Sequence, residues 1–176
     1  MWPNRLPRLE GFSYVGFQRY LVTINARCHA APFADPSVAG ELAAQIPPCF
    51  AANDFDVLAY CVMPDHVHLL LEGTSSGANL REAVRAWKQR TGYAWKKRMG
   101  SQLWQPGFHD RILREGDDTR AVVRYVLQNP VRAGLVKSAG DYPWVGSSRY
   151  VVAQLEEHAG DWRPNLGLIR IGGQVS

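Results

Sequence analysis

The chain is poor in cysteine and has no long hydrophobic run, and these two absences exclude several classes of protein. Its 176 residues include three cysteines, Cys28, Cys49 and Cys61, and none of them has C-x-x-C spacing. An odd number without that spacing argues against a disulfide framework and against a structural zinc site. No apolar run approaches the ~20 residues of a membrane span, and no signal-peptide pattern follows the arginine-bearing N-terminus. We therefore expect a cytoplasmic protein with no membrane partner.

The sequence also lacks an internal repeat, a low-complexity tract and the phosphate-loop pattern G-x-x-x-x-G-K-[ST]. What it contains is ordinary for a globular protein, with 46% hydrophobic and 20% charged residues. The length suits one folded domain with an extension. From residue 151 the chain becomes polar and glycine-rich, so we expect a domain over residues 1–150 and a C-terminal tail over 151–176.

Charge is unevenly distributed along the chain. The formal net charge is only +4, but residues 81–137 hold 13 of the 20 Lys and Arg and 5 of the 16 Asp and Glu. Such a local excess of positive charge indicates a polyanionic partner such as nucleic acid. A solvated basic helix is the alternative, because many soluble proteins carry one.

The order of periodic segments predicts an α+β fold. Alternating or apolar runs predict four strands, and 3.6-residue periodicity with capping residues predicts three helices. The strands are expected at 20–27, 56–63, 66–72 and 108–115, and the helices at 37–45, 79–99 and 119–129. Up to the last strand this is the split β-α-β order of ferredoxin-like domains. We expect an antiparallel sheet with helices on one face and the 119–129 helix near the open face.

Two histidines separated by one residue are the most informative feature of the chain. Successive side chains on a strand point to opposite faces, so His66 and His68 share a face of the sheet. Two imidazoles side by side are a start on a metal site. The alternative is a half-exposed strand that carries two polar residues there.

A tyrosine and an asparagine on the last predicted helix could join this pair. Tyr125 and Asn129 are four residues apart and therefore lie on the same side of the helix. Tyr125 by itself fits the edge of an amphipathic core. If the helix crosses the open sheet face, the phenol, the carboxamide and two imidazoles converge. A cation held there can polarise a phosphodiester while a tyrosine attacks phosphorus.

Two runs carry a resemblance to a known family. Residues 60–68 read YCVMPDHVH, and this run resembles the HUH motif of single-tyrosine transposases. Residues 125–135 read YVLQNPVRAGL, which is similar to their nucleophile helix. The second run, with Tyr142-Pro143-Trp144 beyond it and Trp104-Gln105 before the fourth strand, most resembles the REP-associated tyrosine transposases.

The resemblance implies a metal-dependent enzyme that cuts single-stranded DNA at the foot of palindromic hairpins. Tyr125 would be the nucleophile, leaving a 5′-phosphotyrosine and a free 3′-hydroxyl that allow rejoining without ATP. His66, His68 and Asn129 would be the ligands of Mg²⁺ or Mn²⁺. The partner would be hairpin-bearing single-stranded DNA, and both a homodimer and a monomer fit the pattern.

The basic helix supplies candidate DNA contacts. Arg81, Arg85, Lys88 and Arg90 could bind phosphates, although a solvated helix face is an equal interpretation for each of them. A second function also fits the fold, namely a non-catalytic single-stranded nucleic-acid binding domain. Such modules usually place aromatic residues on the exposed strands, where this chain has His66 and His68.

Overall fold

A computed structural model of the chain describes residues 13–27, 31–151 and 153. Its strands are β1 (Arg19–Asn25), β2 (Phe55–Val62), β3 (His66–Gly73), β4 (His109–Leu113) and β5 (Val145–Gly146). Its α-helices are α1 (Pro36–Ala51), α2 (Leu80–Met99), α3 (Thr119–Leu127) and α4 (Asn129–Arg132). The predicted tail lies almost entirely outside these residues, so the domain boundary stays a prediction.

The sheet has the strand order β4-β1-β3-β2-β5, and every neighbouring pair is antiparallel. The first four strands have the order of a split β-α-β fold, which confirms the predicted ferredoxin-like α+β architecture. The Pro64-Asp65 pair turns β2 back into β3 as a hairpin. β4 forms one edge of the sheet, next to β1.

The prediction that α1 ends before Pro47 was wrong. α1 continues through Pro47 and Pro48 to Ala51, although proline in a helix interior removes a hydrogen bond and costs about 3 kcal/mol. Phe50, in the last turn, is fully buried and its ring centroid lies 6.2 Å from that of Trp87. The free energy gained by burying this large aromatic side chain offsets the cost of the two prolines. Rules that consider only neighbouring residues in the sequence do not include this contribution.

The predicted ends of α2 are confirmed. The side chain of Asn79 accepts hydrogen bonds from the backbone N–H groups of Arg81 and Glu82, at 3.1 and 3.3 Å. Gly100 ends the helix with a φ of 70°, the left-handed conformation that glycine adopts without strain. None of the described helices is long and apolar enough to cross a membrane.

The predicted open face of the sheet is partly covered by α3. One core lies between the sheet and α1 and α2, and a second lies between the opposite face and α3. The second core packs Val122, Val123 and Val126 of α3 against Leu58 and Leu70 of the sheet. The expected placement of this helix near the open face is therefore confirmed, and α3 is anchored there by its own apolar side.

α3 ends two residues before the predicted position. Its N-terminus is capped by Asp118, whose carboxylate accepts from the N–H groups of Arg120 and Ala121 at 3.0 and 3.3 Å. At the other end, Pro130 has no N–H to offer the carbonyl of Val126. The helical path breaks at Gln128, and α4 starts at Asn129.

Candidate active site

The two histidines of β3 converge through their Nε2 atoms, which lie 3.0 Å apart. Their rings are nearly perpendicular, with an interplanar angle of 85° and a centroid separation of 4.7 Å. His68 is buried, with 6% of its surface exposed, whereas His66 is half-buried. The predicted pairing of His66 and His68 on one face is therefore present.

Each imidazole is held by a hydrogen bond at its other nitrogen. His66 donates from Nδ1 to Oδ1 of Asp65 at 2.6 Å, and a 3.0 Å hydrogen bond joins Nδ1 of His68 to Oγ1 of Thr23. Thr23 lies opposite His68 in the β1–β3 register. Such partners fix the orientation and tautomer of metal-binding histidines. Sequence reasoning missed Asp65 and Thr23, although Asp65 directly precedes His66.

This arrangement fits a divalent metal ion. When the Thr23 hydroxyl accepts from Nδ1 of His68 and Asp65 accepts from Nδ1 of His66, both Nε2 atoms carry lone pairs. Adjacent ligands of an octahedral ion at about 2.1 Å lie about 3.0 Å apart, and the two Nε2 atoms are separated by that distance. Among the described residues, no group of three or more His, Cys, Asp or Glu could hold a metal. A third protein ligand from this part of the chain would therefore be of another type.

Burial keeps His68 in the form that binds metals. Its pKa is lowered from 6.5 to about 3, mainly by desolvation and further by the neighbouring His66. The imidazole is consequently neutral near pH 7. Its lone pair is then available to a cation without competition from a proton.

Tyr125 of α3 lies against the histidine pair. Its ring meets that of His68 edge-on, with centroids 5.7 Å apart and an interplanar angle of 72°. The guanidinium of Arg132 lies 5.2 Å from the centroid of the Tyr125 ring. The structure thus brings the predicted nucleophile to the predicted ligands. Arg132 was not predicted as a site residue, although it belongs to the 125–135 run.

Asn129 lies at the junction of α3 and α4. Its side-chain nitrogen donates to the backbone carbonyl of Tyr125 at 2.7 Å and approaches that of Val126 at 3.5 Å. The second carbonyl is the one that Pro130 leaves without a helical donor. These contacts give Asn129 a structural role, and its role as third metal ligand stays a prediction.

The four predicted DNA contacts are not equivalent in the structure. Arg81, Arg85 and Lys88 line a groove beside α2, on the sheet face opposite Tyr125. Arg90 is exposed and is absent from that lining. Lys88 donates from Nζ to the carbonyls of Gln105 and Gly107 at 2.8 and 2.5 Å. Lys88 therefore links α2 to the segment that forms the other wall of the groove, a structural role that its position on the basic helix did not suggest.

Comparison with protein families gives one match that covers most of the folded region. The family model described as "Transposase IS200 like" matches residues 20–129, which include the histidine pair and Tyr125. A Haemophilus influenzae protein described as a REP-associated tyrosine transposase is 28% identical over 134 residues, 69% of this chain and 73% of the relative. The REP-associated tyrosine transposase of Escherichia coli is 29% identical over 121 residues, 69% of this chain and 70% of that protein.

A solved structure has the same fold. It is described as a REP-associated tyrosine transposase bound to a REP hairpin, and it covers 98% of this chain and 99% of its own. The TM-score is 0.67 at 22% sequence identity. At that identity the likeness establishes the fold of the sheet and its helices.

Proposed function

We propose that this chain, which belongs to the IS200-like transposase family, cuts and rejoins single-stranded DNA through a covalent bond to Tyr125. Membership of the family makes it a transposase, an enzyme that nicks and rejoins DNA. The observation that carries the assignment of Tyr125 is the 5.7 Å approach of its ring to that of His68. A phenol beside converging imidazoles can meet a phosphodiester held at the same point.

The proposed reaction is a transesterification. The Tyr125 oxygen loses its proton and attacks phosphorus, forming a new P–O bond. The bond between phosphorus and the 3′ oxygen breaks, and that oxygen takes up a proton as the free 3′-hydroxyl. Rejoining is the reverse attack by a 3′-hydroxyl on the phosphotyrosine. Because one phosphodiester-type bond replaces another, no ATP is required.

Arg132 would stabilise the charge that develops on the phosphate. Its guanidinium already lies over the Tyr125 ring, at 5.2 Å from the centroid. Arginine binds phosphate oxygens through two parallel hydrogen bonds, which suits a pentacovalent phosphorus. Asp65 and Thr23 would hold the imidazoles in one orientation throughout the reaction.

His66 and His68 would hold Mg²⁺ or Mn²⁺, with Asn129 as a third ligand. The fit of the Nε2 separation to an octahedral ion supports the pair as ligands. Mn²⁺ accepts imidazole more readily than Mg²⁺, which prefers oxygen ligands. When bound, the ion supplies Lewis-acid polarisation of the phosphodiester.

The substrate would be single-stranded DNA with a hairpin. A solved structure with this fold is described as bound to a REP hairpin, and the two relatives reported above are described as REP-associated. A homodimer and a monomer remain alternative assemblies, and the cytoplasmic location stays a prediction. A domain that only binds nucleic acid is less well supported, because β3 presents imidazoles where such domains present stacking aromatics.

The Tyr125→Phe variant tests the proposal. Wild-type protein incubated with hairpin-bearing single strands and Mn²⁺ should give a DNA-linked band on a denaturing gel. The variant should give none, since Phe lacks the attacking oxygen, while anisotropy should show unchanged DNA affinity. A Phe variant that still forms the adduct would assign the nucleophile to another residue.

A further inference from the structure

A groove beside α2 is a concave feature that the catalytic proposal leaves unused. It has a volume of about 470 Å³ and lies between α2 and the segment 102–108. α2 packs on the sheet face opposite α3, so the groove and Tyr125 lie on different sides of the sheet. Its residues belong to none of the catalytic groups described above.

The groove combines positive charge with aromatic surface. Arg81, Arg85 and Lys96 line it from α2, and none of the acidic residues that the structure describes contributes to the lining. Tyr93 stands on the same helix with 73% of its surface exposed, and Phe108 forms part of the opposite wall. The ring of Tyr93 is therefore exposed beside these cations, whereas Phe108 is half-buried and packs against the core.

This combination matches single-stranded nucleic acid. Such grooves follow the phosphate backbone with Lys and Arg and stack unpaired bases on aromatic side chains. Arg81 and Lys96 are fifteen residues apart, which is roughly 22 Å along the helix axis. That length accommodates the backbone of several nucleotides rather than a small molecule.

We propose that the α2 groove binds an unpaired DNA segment that is continuous with the strand cut at Tyr125. Phosphates would contact Arg81, Arg85 and Lys96, and a base would stack on Tyr93. The inference rests on the proposed function, because that function makes single-stranded DNA the substrate. It adds a second contact surface remote from the reacting phosphate.

The edge strand β4 connects the two sides. Phe108 lines the groove, and the next residue, His109, begins β4 opposite Thr23 of β1. Thr23 in turn hydrogen-bonds His68. Because β4 is at the sheet edge, a strand leaving the groove reaches the histidine pair by passing around that edge.

Lys88 holds the far wall of the groove in place. Its ammonium bonds two carbonyls of the 102–108 segment, and burial lowers its pKa. We assign it a positioning role and leave it out of the phosphate contacts. Substituting it would disturb the wall, so the test uses other residues.

Two matched double variants on α2 test the charge contribution. Arg85→Ala with Lys96→Ala removes two groove cations, and Arg90→Ala with Lys97→Ala removes two cations of the same helix that do not line the groove. All measurements use the Tyr125→Phe background and fluorescein-labelled oligothymidylate in chelator. The groove pair should weaken binding about tenfold and reduce the salt slope by about 1.4, because each phosphate contact to a single strand contributes about 0.7. If both double variants weakened oligothymidylate binding equally, the groove proposal would be wrong, and the affinity would depend on the overall positive charge of α2.

Tyr93 provides an independent readout. Tyr93→Ala should weaken oligothymidylate binding about tenfold, while Tyr93→Phe should retain affinity because the ring remains. Irradiation of a 5-iodouracil oligonucleotide should cross-link to Tyr93, as identified by mass spectrometry. Cross-linking confined to other residues, together with an unaffected Tyr93→Ala, would refute the stacking contact.

Failure of the groove can be distinguished from failure of the proposed function. If Tyr125-intact protein forms the covalent adduct but both double variants bind oligothymidylate equally, only the groove inference fails. If no covalent adduct forms but the Arg85→Ala, Lys96→Ala variant alone weakens DNA binding, the groove inference is supported and the catalytic proposal is wrong.

Discussion

The two faces of the sheet bury side chains of different kinds. Towards α1 and α2 the core is large and aromatic, with Tyr20, Phe50 and Trp87 fully buried. Towards α3 the core is smaller, and it adjoins the polar pair His66 and His68. Strand β3 serves both faces, because its residues alternate between them. The side chains that contribute most to stability therefore lie on one face of the sheet, and those proposed to act in catalysis lie on the other. Substitutions on the first face should mainly lower the free energy of unfolding, and substitutions on the second should mainly lower activity.

The largest effect should come from breaking the aromatic face. Trp87→Ala removes a fully buried indole and should lower the free energy of unfolding by about 3–5 kcal/mol. Urea denaturation measures this loss. Trp95→Ala, on the same helix but only half-buried, is the control and should cost clearly less. If both variants lost the same free energy of unfolding, burial in the aromatic core would not explain the effect of Trp87→Ala.

The acid stability of the catalytic face should depend on His68. Its pKa is about 3 in the folded protein and 6.5 when unfolded, so the unfolded chain binds more protons between these values. Stability should be complete above pH 6.5 and fall as the pH drops through 3, by on the order of 5 kcal/mol in total. His68→Gln should flatten this profile in chemical denaturation with chelator present. An unchanged profile would assign the acid sensitivity to another group.

Arg132 should affect chemistry without affecting stability. Arg132→Ala should slow adduct formation by about 10²–10³-fold, the usual cost of losing a preorganised charge in the transition state. Arg132 is exposed, so the melting temperature should hardly change. Arg132→Lys should recover part of the rate. A variant that destabilises the fold in proportion to its lost activity would contradict the separation of the two faces.

The smallest effect should come from the hydrogen bond that orients His66. Asp65→Asn should weaken Mn²⁺ binding about 10–100-fold, because outer partners of metal-binding histidines have effects of that size. Isothermal titration of the DNA-free protein with Mn²⁺ measures the change. Asp56→Asn, at the other end of β2 and ion-paired to Arg149, is a matched control that should leave Mn²⁺ affinity unchanged. If both substitutions weaken binding alike, the local orientation argument is wrong.

Local features of the sequence predicted much of this arrangement. The alternation in β3 placed His66 and His68 together, and the caps at Asn79 and Gly100 bounded α2 because such signals act within a few residues. The path of α1 through Pro47 was not predictable from neighbours, since it depends on burial of Phe50 against another helix. The end of α1 is therefore set by packing between distant parts of the chain, which local sequence signals do not show.

The partners of the site were harder to predict than its central residues. Thr23 reaches His68 only through the β1–β3 register, forty-five positions away in the chain. Arg132 is seven residues after Tyr125, a spacing that shares a face of an unbroken helix, but Pro130 predicts that the helix ends between them. The α2 groove needs the 102–108 segment as its second wall. The Thr23 contact and the groove each bring together distant segments of the chain, for which periodicity carries no signal.

The amide of Asn129 links two events that are usually considered separately. Its nitrogen is engaged with the carbonyl of Tyr125, so only its oxygen can turn towards a cation. If Asn129 holds the proposed metal ion through that oxygen, one planar amide would join a ligand position to the backbone of Tyr125. A substitution at residue 129 would then alter both metal affinity and the placement of the tyrosine.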